Sequence, residues 1–284
     1  MMKVFNLGLI GWPLEHSYSP ALHKAALRSL GFDGDYRLYA VPPLPEGAEE
    51  LAVLLAKLQG RSIDGLNITI PHKGNLVNLV DHLTPAAASI GAVNTVFMEN
   101  GLLIGDNTDA GGFWTDLCAN FPVQRFERSQ ALVLGAGGAA RAVVYALISH
   151  GWSVTVAARS TAQAAGLAEQ LSTSDNLIEV LPLGELGLSM DELSSSLIVN
   201  ATPVGMYPNT RVSPWPKDAP FPAGASVYDL VYNPRRTYFV AQAREAGLAA
   251  VTGSGMLVEQ AALAFERWTD VEAPREIMWA ALTA

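Results

Sequence analysis

Two side chains of opposite charge, Lys73 and Asp109, stand where a proton could be moved. Lys73 follows the run Gly65-Leu66-Asn67-Ile68-Thr69-Ile70-Pro71, and Asp109 closes Gly105-Asp106-Asn107-Thr108-Asp109 at an expected helix start. Oxidising an alcohol by hydride transfer requires removal of the hydroxyl proton, and the reverse requires its return. Burial lowers a lysine pKa whereas a nearby aspartate raises it. The residues alone therefore leave Lys73 as a base or as a group that orients substrate, with a structural ion pair as the third reading. A second constellation, His16-Ser17-Tyr18-Ser19-Pro20, sets two hydroxyls beside a helix start, where unpaired N–H groups and the helix dipole suit a carboxylate. An N-cap role explains Ser19 by itself, with Pro20 at the first helical position, but does not explain Ser17.

The third constellation binds a dinucleotide. Ala131 to Leu147, ALVLGAGGAARAVVYAL, reads as strand, tight turn and helix, with Gly-x-Gly-x-x-Ala over Gly135, Gly137 and Ala140. The first glycine permits the turn, the second admits a pyrophosphate, and the small alanine lets helix and strand pack closely. An acidic residue about 20 positions further on would hold the ribose hydroxyls of NAD. Between Gly138 and Ala168 there is none; the second strand instead ends in Ala157-Ala158-Arg159-Ser160-Thr161. A guanidinium with two hydroxyls suits a phosphate, so NADP is expected over NAD.

The elements around these groups follow from periodicity. Val4–Ile10 reads as a buried strand, and a helix runs from Ser19-Pro20 to Gly31. Tyr36–Val41 is a strand, and an amphipathic helix through Leu51, Leu54, Leu55 and Leu58 ends at Gly60. Residues 65–70 alternate apolar side chains with Asn67 and Thr69; a ligand site would supply polar partners, and an edge strand with one wetted face is the alternative. Ala92–Met98 and Leu102–Ile104 form a hairpin around Asn100-Gly101. From Ala131 compact alternation predicts strands at 131–135, 153–157, 197–200 and 226–230, with helices at 138–149 and 161–171. Helices are also expected over 237–246, from 253 to about 268, and from Pro274.

The 284 residues suit two domains; half are apolar and 16% charged, as in a globular protein. The net charge of −9 argues against nucleic-acid and anionic-membrane partners. One cysteine, Cys118, fits a reducing compartment, and the N-terminus reads as a strand rather than a signal peptide, so a cytoplasmic location is expected. His16, His23, His72, His82 and His150 lack metal-ligand spacing, and no metal is expected.

Several blocks together resemble the shikimate dehydrogenase family. They are Gly11-x-Pro13-x-x-His16-Ser17-x-Ser19-Pro20-x-x-His23, Asn67-Ile68-Thr69-Ile70-Pro71-x-Lys73, Gly91-Ala92-Val93-Asn94-Thr95 and Asn107-Thr108-Asp109. The match continues through Gly135–Arg141, Asn200-Ala201-Thr202-Pro203-x-Gly205-Met206, Asp229-x-x-Tyr232-x-Pro234 and Gly255-Met256-Leu257-x-x-Gln260. The resemblance implies two α/β domains with a cleft between them. One is a substrate domain (1–108 with 238–284), completed by the C-terminal helices; the other is a Rossmann-type NADP domain (109–237). It implies reversible, NADP-dependent reduction of 3-dehydroshikimate to shikimate, on the route to aromatic amino acids. Ser17 and Ser19 would hold the carboxylate, and Asn67, Thr69, Asn94, Asp109 and Gln260 the ring hydroxyls, with Tyr232 nearby. Lys73 and Asp109 would form the catalytic pair. Gly135, Gly137, Gly138 and Ala139 would cradle the pyrophosphate, Arg159 would read the 2′-phosphate beside Ser160, and Thr202, Val204, Gly253 and Met256 would border the nicotinamide. Two positions depart from the family: Lys24 replaces the usual asparagine after His23, and Ala158 replaces an asparagine before Arg159. Competing readings are a quinate or dual-specificity enzyme that also uses NAD, a non-catalytic dinucleotide or shikimate sensor, and another two-domain reductase, such as one acting on folates. Monomer and homodimer are both open.

Overall fold

The computed structural model describes residues 3–122, 129–173, 177–186, 197–217 and 219–283. The chain divides into two compact units, Met1–Gly112 with Val258–Ala284, and Phe113–Leu257.

The first unit carries β1 (Val4–Gly11), α1 (Ser19–Ser29), β2 (Asp33–Ala40), α2 (Ala48–Gln59), β3 (Gly65–Ile68), β4 (His82–Leu83), α3 (Pro85–Ile90), β5 (Thr95–Glu99) and β6 (Leu102–Asp106). It also holds the start of α4 (Thr108–Asn120). Its sheet runs β2-β1-β3-β5-β6-β4. Strands β2, β1 and β3 are parallel, β5 is antiparallel to both β3 and β6, and β4 is parallel to β6. The carboxyl ends of β1, β3 and β6 therefore share one edge with the start of β5. That edge carries the polar residues of interest.

Asn100 and Gly101, at φ 51° and 81°, give the hairpin between β5 and β6 its expected tight turn. Strand β3 lies inside the sheet with all four residues buried, which removes the edge-strand reading of Asn67. Leu51, Leu54, Leu55 and Leu58 bury the inner stripe of α2 against Ile10, Leu66 and Ile68. Each such side chain contributes roughly 2 kcal/mol. One expectation is corrected at α1: the N-cap is Tyr18, with Ser19 and Pro20 already inside the helix. Ser17 Oγ accepts from the Ser19 N–H at 3.3 Å, so the hydroxyl that stabilises this turn is the one two residues earlier.

The second unit continues α4 and adds β7 (Gln130–Leu134), α5 (Gly138–Ser149), β8 (Ser153–Ala158), α6 (Thr161–Leu171), β9 (Glu179–Pro182), β10 (Leu197–Asn200), β11 (Ser226–Asp229), α7 (Tyr238–Glu245) and β12 (Ala249–Thr252). The all-parallel order is β12-β11-β10-β7-β8-β9. Counted within the unit this is 6-5-4-1-2-3, the doubly wound order, whose switch point lies between β7 and β10. The chain leaves this unit at Val258, inside α8 (Ser254–Thr269), rather than at 238. The reason is β12, which pairs parallel with β11, while Phe239, Val240 and Ala243 of α7 pack in the core beneath both strands. Helix α9 (Arg275–Thr283) closes the chain in the first unit.

Candidate active site

Lys73 Nζ donates to Asp109 Oδ2 at 2.5 Å, with the two side chains 17% and 7% exposed. Lys73 follows β3, and Asp109 sits in the first turn of α4, whose dipole favours a carboxylate. Asn107 begins that helix: its Oδ1 accepts the Asp109 N–H at 3.1 Å, and its Nδ2 donates to Ala92 O at 2.9 Å. Asn94 joins the strands at this edge, its N–H donating to Asp106 O at 3.0 Å and its carbonyl accepting from Ile68 N at 2.8 Å. The Asn94 Nδ2 donates to Asp109 Oδ1 at 2.9 Å and reaches Gln260 Oε1 at 3.5 Å. Within the first unit Lys73, Asp109, Asn94 and Gln260 thus form one group. Gln260 sits close under α4, where a Cβ on Gly112 would lie 2.6 Å from its N atom. Asp106 holds the rim, accepting from Thr84 Oγ1 at 2.6 Å and from Arg267 Nε at 3.1 Å.

Asn67 is buried on β3 and joins the same group through Asn94 O, to which its Nδ2 donates at 3.2 Å. Thr69, partly exposed, lies two residues on and beside Gly11 at the end of β1: a Cβ on Gly11 would meet Thr69 Cγ2 at 2.3 Å. Ser17 is partly exposed and Ser19 is buried. Ser17 accepts a backbone N–H, so its own O–H remains to donate to a ligand. Beneath the site His23 is fully buried and stacks on Tyr36 at 4.4 Å; burial pushes its pKa down to about 3, which keeps the ring neutral. His72 anchors the turn before Lys73 through Val41 O at 2.9 Å. Lys24, one of the two departures, pairs with Asp35 at 2.7 Å on the surface, well apart in role from the site.

In the second unit the glycine turn lies at the switch point. Gly135 has φ +110°, and a Cβ there would lie 3.0 Å from Thr202 Cγ2, so the turns after β7 and β10 touch. Gly137 precedes α5 in extended conformation, and a Cβ on it would meet no protein atom within 4 Å. Protein packing does not require glycine at 137, whereas close approach of a pyrophosphate would. Gly138 and Ala139 open α5, and its first-turn N–H groups suit an anion. Arg159 is exposed just past β8. Ser160 caps α6 by accepting the Gln163 N–H at 3.3 Å, so it has a structural duty beside any ligand. The donor set fits NADP.

Asn200, a residue with no role assigned from sequence, ties this region together. Its Oδ1 accepts from Thr202 N at 3.0 Å and Thr202 Oγ1 at 2.6 Å, while its Nδ2 donates to Val204 O at 3.2 Å and Asp229 Oδ1 at 2.8 Å. Burial raises the Asp229 pKa to about 6, against hydrogen bonds from Thr237, Val231 and Asn200 that lower it. The signal available in sequence was an asparagine and an aspartate ending adjacent strands in an apolar setting. Gly253 is fixed beside Leu230 O, 2.2 Å from where its Cβ would be, and Met256 is buried in α8. Tyr232 belongs to this unit and is partly buried. Among the described residues no cluster of three His, Cys, Asp or Glu could hold a metal, and no helix is long and apolar enough to cross a membrane.

A doubly wound sheet with a glycine turn at its switch point, and a second α/β unit bearing a partly buried lysine–aspartate pair, define a dinucleotide-linked oxidoreductase. Family models agree: residues 9–96 match the shikimate dehydrogenase substrate binding domain, 118–204 shikimate / quinate 5-dehydrogenase, and 253–283 the shikimate 5'-dehydrogenase C-terminal domain. The chain is 41% identical to shikimate dehydrogenase (NADP(+)) of Salinibacter ruber, over 97% of this chain and 96% of that one. It is 42% identical to the Methanopyrus kandleri protein of the same name, over 96% and 92%. The Thermus thermophilus shikimate 5-dehydrogenase structure, in complex with NADP(H) and shikimate, superposes with a TM-score of 0.83 at 38% identity over 98% of both chains. The chain belongs to the shikimate dehydrogenase family.

Proposed function

We propose that the chain reversibly reduces 3-dehydroshikimate to shikimate with NADP, with Lys73 and Asp109 handling the proton at the reacting oxygen. The observation that carries this reading is the Lys73–Asp109 contact of 2.5 Å, with the Asn94 amide on the other carboxylate oxygen of Asp109. Ser17 and Ser19 take the carboxylate at the start of α1. Asn67, Thr69, Asn94, Asp109 and Gln260 hold the ring hydroxyls, and Tyr232 is a further substrate-binding residue. Bound NADP supplies or accepts the hydride. Gly135, Gly137, Gly138 and Ala139 receive its pyrophosphate, Arg159 and Ser160 its 2′-phosphate, and Thr202, Val204, Gly253 and Met256 its nicotinamide. A single cysteine, Cys118, supports a cytoplasmic location, with the protein acting as a monomer or homodimer.

Arg159 supplies the test of cofactor choice. Ala158 offers no polar side-chain atom beside it, so the guanidinium supplies the charge that recognises the phosphate, with Ser160 next to it. Arg159→Ala is expected to raise the KM for NADP by about tenfold or more and to leave that for NAD nearly unchanged. Initial rates with the two cofactors check this. An equal effect on both would remove the phosphate-reading role.

A further inference from the structure

The hydrogen bonds behind Lys73 and Asp109 form a network in which backbone groups set the orientation of both amides. The Thr108 backbone N–H, which can only donate, lies 2.7 Å from Asn94 Oδ1. That fixes the Asn94 amide with its Nδ2 on Asp109 Oδ1, at 2.9 Å. The Asn94 carbonyl, which can only accept, lies 3.2 Å from Asn67 and so fixes Nδ2 of that amide too. Between the two amides stands Thr95, fully buried at the start of β5. Its hydroxyl accepts from Asn67 Nδ2 at 3.1 Å and donates to Asn94 Oδ1 at 3.0 Å. With both hydrogens of Asn67 Nδ2 engaged, its Oδ1 faces Tyr36, whose hydroxyl donates at 2.8 Å. Burial pushes the Tyr36 hydroxyl pKa up, so it stays a donor.

We propose that Thr95 and Tyr36 are positioning residues. Tyr36 holds Asn67 so that its carbonyl oxygen is fixed as an acceptor for a substrate hydroxyl. Thr95 couples that amide to the Asn94 amide that orients Asp109 toward Lys73. Both side chains are buried and act through their neighbours. A buried amide that loses its partner retains a polar atom with nothing to bond, and its orientation is no longer unique. This inference rests on Lys73 and Asp109 being the proton-handling pair.

The test is steady-state shikimate oxidation by the full chain carrying Thr95→Val, Thr95→Ser, Tyr36→Phe or Lys73→Ala, each followed by thermal melting. Thr95→Val keeps the shape without the hydroxyl and is expected to lower kcat about tenfold; Thr95→Ser restores the hydroxyl and stays within about twofold of the parent. Tyr36→Phe keeps the stack on His23 and is expected to raise the KM for shikimate about tenfold, with the KM for NADP unchanged. Thr95→Val within about twofold of the parent, or Thr95→Ser as impaired as Thr95→Val, would overturn the role of Thr95. An unchanged KM for shikimate in Tyr36→Phe would overturn that of Tyr36. If Thr95→Val does not fold, Thr95→Ala, which also lacks the hydroxyl, takes its place with the same expected and contrary results. Normal turnover in Lys73→Ala would instead withdraw the underlying pair, a result separable from all of these.

Discussion

Lys73→Ala lowers turnover in both directions by roughly 10²- to 10⁴-fold, the range that a positioned acid or base contributes. The fold survives the change for reasons visible around Asp109. Removing one member of a buried ion pair commonly costs several kcal/mol, because the remaining charge is left without compensation. Here the Asp109 carboxylate keeps the Asn94 amide at 2.9 Å and its place in the first turn of α4, where the helix dipole favours it. Melting near the parental temperature together with the loss of turnover is the expected pair of results. Turnover near normal would take lysine out of the mechanism.

Gly255→Ala acts on stability rather than chemistry, and strongly. Gly255 is the second residue of α8, and an added Cβ would lie 1.8 Å from Asp116 Oδ1. That carboxylate cannot yield easily. Its Oδ2 accepts from the fully buried Tyr228 hydroxyl at 2.5 Å, and its Oδ1 accepts from Asn120 Nδ2 at 2.9 Å. The methyl must displace either α8 or Asp116, and displacing Asp116 strands the Tyr228 hydroxyl. A cost of about 3 kcal/mol or more is expected, read as a fall of roughly 5–10 °C in melting temperature. Gly166 provides the control. It lies exposed within α6, and a Cβ there would meet nothing within 4 Å, so Gly166→Ala is expected to stabilise by about 0.5–1 kcal/mol. A Gly255→Ala protein as stable as its parent would show that this packing is far looser than described.

Much of this arrangement was readable from residue order. The α6 and β10 limits follow directly from pattern, and the strand, glycine turn and helix around Gly135–Ala140 lie where the residue pattern puts them. Polar alternation at Asn67 and Thr69 pointed to the site edge because a buried amide must find partners. Other features depend on tertiary contacts that no local pattern contains. β9 and β12 are edge strands, only partly buried, so neither shows the apolar run that marks β10 and β11, yet β12 determines where the chain leaves the second unit. Ser19 matched the composition of an N-cap, but the helix begins one residue earlier and Ser17 supplies the hydroxyl. Tyr36 looked like one aromatic among several in a strand. Its function emerges only once β2, β1 and β3 are adjacent and its hydroxyl meets Asn67, 31 residues away in sequence.

The central claim is that this chain joins an acid-bearing cyclohexene alcohol to a phosphorylated nicotinamide cofactor. Initial rates with shikimate and quinate, each paired with NADP and with NAD, test it most directly. The account predicts that kcat/KM for shikimate with NADP exceeds every other pairing by about tenfold or more. Quinate with NAD performing as well as shikimate with NADP would contradict it.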